Sequence, residues 1–371
     1  MSNTKATIEI QSYVSYPNSI EAKRSDASWE FGISNFYNQG IPFSFFNISA
    51  IQDTLFNIIM SFYDAKESAA YTFYFLQSGR AVWLPNVLDR LREKVPIKLE
   101  NTTIHLLDTR VEISEFWDRS SIFSQFKAQI VIHKTIPCHD VIFEPDINLV
   151  VMIEALSMLH PQKVSIKEGK IFDALSRTLV REPLNLWDQT VFPPQKISKY
   201  HPEHLQKIPD ECLIAEYGNV RLSRENGYRK SEVQESLILA NRLKIHSGMI
   251  NFSIEIKHLL EKIAASLTED GGIFILDLAL KKQDEISQTT QLTYKKGRVC
   301  YHYLHFEAIQ LWLESLGFSV QTKSNTFHYQ ALWAHKTHPI APKYLDLEWG
   351  KAHELMIHEI IDTLFTITNP Q

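Results

Sequence analysis

The stretch from Tyr71 to Arg90, YTFYFLQSGRAVWLPNVLDR, constrains the fold more than any other part of the chain. A continuous run of aromatic and apolar residues breaks at Gln77-Ser78-Gly79, and an amphipathic helical pattern follows. Strand, tight loop and helix in that order open an α/β unit whose strands are covered on both faces. The loop keeps one glycine, Gly79, where ligand-cradling loops of this kind often use two or three.

The same pattern recurs downstream. Short apolar runs at 72–76, 104–108 (IHLLD), 128–133 (AQIVIH) and 147–153 (INLVVMI) are separated by helical patterns at 82–94 and 111–117. This predicts a mainly parallel, doubly wound sheet. It resumes with the helix FSIEIKHLLEKIAASL, a turn at Glu269-Asp270-Gly271-Gly272 and the strand IFILDLAL. The glycine pair is expected to let the chain turn without a Cβ penalty. The helix HFEAIQLWLESLGF and the strands SVQTK and HYQALWAHK then predict an antiparallel hairpin at one sheet edge.

Around this α/β core the sequence divides into further segments. Residues 1–70 read as a helical, aromatic-rich extension with a helix ending near Asp64, and 71–160 as the first part of the sheet domain. Residues 161–247 read as an inserted cap or substrate subdomain. They are interrupted by Pro183, Pro193, Pro194, Pro202 and Pro209 and contain a helix from Ser231 to His246. Residues 248–336 complete the sheet domain, and 337–371 form a helical tail. Phe43, Phe45 and Phe46 serve either local core packing or a homodimer face.

A net charge of -5 offers no general basic surface for a phosphate backbone, so nucleic acid is not an expected partner. Cys138, Cys212 and Cys300 share no metal-ligand spacing and read as reduced thiols. No window reaches 18 apolar residues and the start lacks a signal-type run, so the expectation is a cytoplasmic protein with no membrane partner.

The order of elements resembles the class I S-adenosylmethionine-dependent methyltransferase superfamily. The resemblance rests on LLEKIAASLTEDGGIFILDLAL, the helix ending SLGF and the last hairpin, with YTFYFLQSGRAVWLPNVLDRL in the place of the first cofactor motif. The ordered segments INLVVMIEALSMLHPQKVSIKEGK, GYRKSEVQ and GGIFILDLA are similar to the MidA-like protein arginine methyltransferases. That family includes mitochondrial complex I assembly enzymes. The chain departs from its pattern in carrying Phe75 at the acid position of the first motif, Gln77 at its first glycine, and Asp277-Leu278-Ala279 in place of Asp-Tyr-Gly.

The resemblance implies a Rossmann-like methyltransferase sheet and S-adenosyl-L-methionine as cofactor, held by the loop Gln77, Ser78 and Gly79. Asp108 ends the second strand, where a carboxylate can accept two ribose hydroxyls, or it is an ordinary strand-end acid. His133 and Lys134 close the third strand; with Cys138 and His139 they give no zinc pattern and read as loop residues or an adenine-side contact, with Lys134 the cofactor-binding candidate among them. Glu154 follows the fourth strand and is the catalytic candidate, orienting a substrate amino or guanidinium group; its other reading is a helix cap. In the insertion, Tyr228, Arg229 and Glu232, with Glu225 nearby, form either a receptor for a basic peptide side chain or a solvated surface. The implied activity is in-line methyl transfer to a nitrogen of a protein or peptide, with no metal. The alternatives are a catalytically silent methyltransferase-like scaffold and a nicotinamide-dependent oxidoreductase, the latter disfavoured by the missing glycine fingerprint.

Overall fold

The computed structural model describes residues 7–14, 18–19, 48–65, 70–77, 81, 83–108, 111–127, 129–133, 141–153, 155–157, 159, 162–168, 170–181, 213–221, 230–242, 244, 247–279, 293–296, 299–302, 304–324, 329–337, 339–340 and 345. In chain order, strand β1 (Thr7–Val14) and helix α1 (Ile48–Ala65) precede β2 (Tyr71–Leu76), α2 (Leu84–Lys94), α3 (Pro96–Glu100), β3 (Thr102–Leu107), α4 (Val111–Arg119), β4 (Ile130–His133) and β5 (Ile147–Ile153). Then come β6 (Gln162–Lys167), β7 (Lys170–Arg181), β8 (Leu213–Arg221), α5 (Lys230–Arg242), β9 (Gly248–Phe252), α6 (Ile254–Ser266) and β10 (Leu267–Leu278). β11 (Thr293–Lys296), β12 (Val299–His302), α7 (Phe306–Ser315), β13 (Ser319–Ser324) and β14 (Tyr329–His335) complete the series.

The chain divides into two compact units. The larger comprises Phe36–Leu156, Glu255–Lys281 and Ile309–Gln371. Its seven-stranded sheet has the order β13-β14-β10-β5-β2-β3-β4. β4, β3, β2, β5 and β10 pair in parallel, and β14 runs antiparallel between β10 and β13. Every residue of β5 is buried, as a strand covered on both faces requires. The α2 sequence buries Leu84, Val87, Leu88 and Leu91 at a helical period, starts with a proline in its first turn and ends with Arg92 and Lys94 near its carbonyls. In α1, Ile51, Leu55, Ile58, Ile59, Phe62 and Tyr63 form one buried stripe. The Tyr63 hydroxyl shares a 2.6 Å hydrogen bond with Thr102 Oγ1, and burial pushes that phenol's pKa well up.

The glycine pair corrects the expected turn. Gly271 and Gly272 lie inside β10, and Gly272 pairs with His335 on one side and Leu149 on the other. A Cβ at Gly272 would run into the ring of Trp333, which is fully buried and packs edge-on against Phe62 at 5.7 Å. The requirement at Gly272 is therefore space for a tryptophan.

The smaller unit comprises Met1–Asn35, Ser157–Ile254 and Lys282–Ala308. It holds a five-stranded antiparallel sheet in the order β1-β7-β6-β9, with β8 paired to β7, and the β11–β12 hairpin. The inserted segment is thus a sheet as well as the expected helix. The N-terminal 70 residues supply a strand to that sheet besides the expected helix. Tyr13 on β1 lies beside Gly218 of β8 and under the Arg177 guanidinium, 5.1 Å from the ring centroid. Arg177 also reaches Glu9 at 3.3 Å. Among the described residues, no helix is long and apolar enough to cross a membrane.

Candidate functional site

In the seven-stranded sheet the chain passes from β2 outward to β3 and β4, then returns to β5 on the other side of β2. The carboxyl ends of β2 and β5 therefore flank a topological switch point, where open α/β sheets bind ligands. Gln77 leaves β2 with φ 51° and is buried; Ala81 follows with φ 48°. A backbone bond of 2.9 Å from Leu84 N–H to Ala81 C=O closes the loop onto α2. The left-handed conformation that glycine usually supplies at such a loop is thus adopted here by glutamine.

Two buried carboxylates stand at the carboxyl ends of β3 and β10, with β2 and β5 between them in the sheet. Asp108, directly after β3, is 1 % exposed, and Asp277, near the end of β10, is 0 % exposed. Asp277 Oδ2 accepts the backbone N–H of Leu156 at 2.8 Å, which fixes the turn leaving β5. Gln77, Asp108 and Asp277 all have further interaction partners. The structure thus brings Gln77 and Asp108 to the carboxyl edge of one sheet, at the ends of adjacent strands. Ser78, Gly79, Lys134, Glu154, Tyr228 and Arg229 lie outside the described residues; Glu232 falls on α5, with its side chain outside them.

A second group of side chains on β2, β3 and β4 was not singled out from the sequence as a cluster. The ring of Tyr74 stacks on His105 with centroids 4.2 Å apart and planes 7° from parallel. His105 Nδ1 and His133 Nε2 share a 2.8 Å hydrogen bond, so one imidazole donates to the other. The segment before β5 covers them: Phe143 packs edge-on against Tyr74, and Glu144 N–H donates to the Tyr74 hydroxyl at 3.3 Å. Burial, then the His133 charge, pushes His105 down to about 4, while the Glu144 carboxylate opposes this. Burial also lowers His133, again against Glu144. Burial raises Tyr74, the Glu144 backbone bond lowers it, and the Glu144 charge adds to the rise. Both rings are neutral at pH 7, and the 3.9 Å approach of His105 Nε2 to Glu144 is then not an ion pair. The alternation that places Tyr74, His105 and His133 on one face was readable in the sequence; the pairing register of three strands was not.

Among the described residues, no group of three or more histidine, cysteine, aspartate or glutamate side chains is placed to hold a metal ion. No family model matches the sequence, and no curated protein matches it. Solved structures do match. A crystal structure of an uncharacterised protein from Burkholderia thailandensis superposes with a TM-score of 0.56 at 10% identity, covering 90% of this chain and 90% of that one. A second crystal structure, of a member of the same superfamily from B. thailandensis, holds S-adenosylhomocysteine. It superposes at 0.52 with 11% identity, over 80% of this chain and 78% of its own. The fold is that of the class I methyltransferases. The reversed strand β14 near the sheet edge separates this fold from all-parallel dinucleotide-binding sheets.

Proposed function

We propose that this protein is an S-adenosylmethionine-dependent methyltransferase that acts on a nitrogen of a protein or peptide in the cytoplasm. The observation that carries the reading is the pairing of a left-handed loop at Gln77 with the buried Asp108 carboxylate on the next strand, at the switch point of a methyltransferase fold. Asp108 stands where a strand-end carboxylate accepts ribose hydroxyls, and the Gln77 loop gives the backbone curvature that a cofactor's methionyl end needs. Phe75, in the place of an acid, is buried against Trp83 at 5.5 Å and adds no charge for a sulfonium. The bound cofactor supplies an activated methyl group. The chain's own part is to hold the acceptor in line and to exclude water, a largely geometric contribution to rate.

Within this reading Ser78, Gly79 and Lys134 complete the cofactor contacts. Glu154 orients the acceptor, and Tyr228, Arg229 and Glu232 meet the basic side chain of the substrate. Support for a protein substrate comes from the ordered resemblance to the MidA-like proteins. A second reading, a catalytically silent scaffold, is favoured by Phe75, by Gln77 in the place of the first glycine, and by Ala279, which stands fully buried where the family carries glycine.

Titration calorimetry with S-adenosylhomocysteine, followed by transfer of labelled methyl from S-adenosylmethionine to arginine- and lysine-containing peptides, separates these readings. Micromolar binding with peptide labelling supports the enzyme. Binding without labelling favours the scaffold, and no heat at millimolar ligand contradicts both cofactor-bound forms. Tighter binding of a nicotinamide dinucleotide would support the oxidoreductase instead.

A further inference from the structure

The crevice at the switch point has two walls, and only the β2 wall is shaped by a loop of the first motif. On the β5 side, Ala155 and Leu156 are both buried just after the strand ends. Ile153 is held by sheet register against Leu276, and three residues later the Leu156 N–H is held by Asp277. The turn is thus anchored at both ends to β10. The second anchor is a hydrogen bond between residues 121 apart in sequence. A carboxylate without solvent exposure is costly unless its hydrogen bonds are met, and an apolar side chain of similar volume would serve packing at least as well. A carboxylate kept at this position is better explained by what it orders than by core stability.

We propose that Asp277 is a positioning residue of the crevice: by gripping Leu156 N–H it sets the shape of the β5 wall against which the cofactor lies. This inference rests on the proposed cofactor site, and its test separates the two. Asp277→Ala removes the acceptor, Asp277→Leu removes it while keeping the volume, and Asp277→Asn keeps an acceptor oxygen. The structural control is Leu88→Ala in the fully buried stripe of α2, away from the strand ends.

Amide hydrogen exchange at Leu156 and calorimetric affinity for S-adenosylhomocysteine are measured for each variant. Leu156 exchange is expected to quicken at least tenfold in Asp277→Ala and Asp277→Leu, while amides of β2 and β3 keep their protection. Affinity is expected to fall about tenfold or more in both. Asp277→Asn should stay within about threefold of the parent, and Leu88→Ala should lose stability without losing affinity. Should Asp277→Ala fail to fold, the volume-matched Asp277→Leu carries the test. A stable Asp277→Leu protein with parental affinity and parental Leu156 exchange would overturn the proposal. If the unmodified chain binds no S-adenosylhomocysteine, the cofactor reading fails; the exchange at Leu156 then still decides whether Asp277 orders the turn.

Discussion

Gly272 shows how one atom can fix a residue's identity. Because Trp333 fills the space a Cβ would occupy and is itself fully buried, Gly272→Ala forces the indole or the strand to shift. Overpacking of this kind costs roughly 1–3 kcal/mol. Gly317 is the useful contrast: nothing lies within 4 Å of its Cβ position, but its φ is +87°. Gly317→Ala should cost only about 1 kcal/mol of left-handed strain. Urea unfolding of the two variants checks the ranking, and equal losses would contradict the steric account. At Gln77, Gly substitution relieves about 1 kcal/mol of left-handed strain and adds unfolded-chain entropy of about the same size. Stability of Gln77→Gly should therefore stay within about 1 kcal/mol, with S-adenosylhomocysteine affinity equal or higher. A drop in affinity of tenfold would show that the glutamine side chain itself contacts the ligand. Neither glycine's reason was legible in the sequence. Gly271-Gly272 read as a turn because partner side chains 60 residues away decide otherwise, and a Gln at φ 51° carries no local signal.

At the scale of elements, the β2–β3–β4 histidine pair makes stability depend on pH. A base whose folded pKa lies below its unfolded value of about 6.5 leaves the unfolded state binding more protons between the two values. Stability is then intact above about 6.5, falls as pH drops towards 4, and levels off below. For His105, the drop from 6.5 to about 4 corresponds to roughly 3 kcal/mol at about 1.36 kcal/mol per pH unit. His305, also pushed to about 4 by burial, acts in the same window. His105→Phe keeps a ring against Tyr74 and removes one titration. Its stability difference between pH 7 and pH 4.5 should shrink by on the order of 2–3 kcal/mol relative to the parent chain, measured by urea unfolding. Equal differences would contradict the neutral, buried assignment. The strands that carry this pair were legible because β2, β3 and β4 are short, apolar and separated by helical periods. The inserted sheet was not. β6 and β7 turn through two residues between Lys167 and Lys170, with Glu168 at φ 50°, a position where hairpins favour Asn, Asp or Gly. Lys163, Ser165, Asp173, Ser176 and Thr178 are buried there, so polar residues on inner positions erased the alternation that marks a strand.

At the scale of the molecule, Gln77 and Asp108 both fall on the larger unit, at the switch point of the seven-stranded sheet. The class I order was readable because the reversed hairpin after α7 follows directly from two strands separated by a short turn. The inserted sheet was not readable, since its interior polar residues hide its strands. A homodimer through Phe43, Phe45 and Phe46 is a proposal on residues outside those described. Light scattering at micromolar concentration tests it, with a mass near twice 43.0 kDa expected for the dimer and a single mass near 43.0 kDa against it. The central claim, that a methyltransferase cofactor binds beside Gln77 and Asp108, is tested most directly by calorimetric titration of S-adenosylhomocysteine into the parent chain and Asp108→Asn. The account predicts saturable binding by the parent and at least tenfold weaker binding by Asp108→Asn with an unchanged unfolding midpoint. Equal affinity in the two proteins, or no binding by the parent at millimolar ligand, would contradict it.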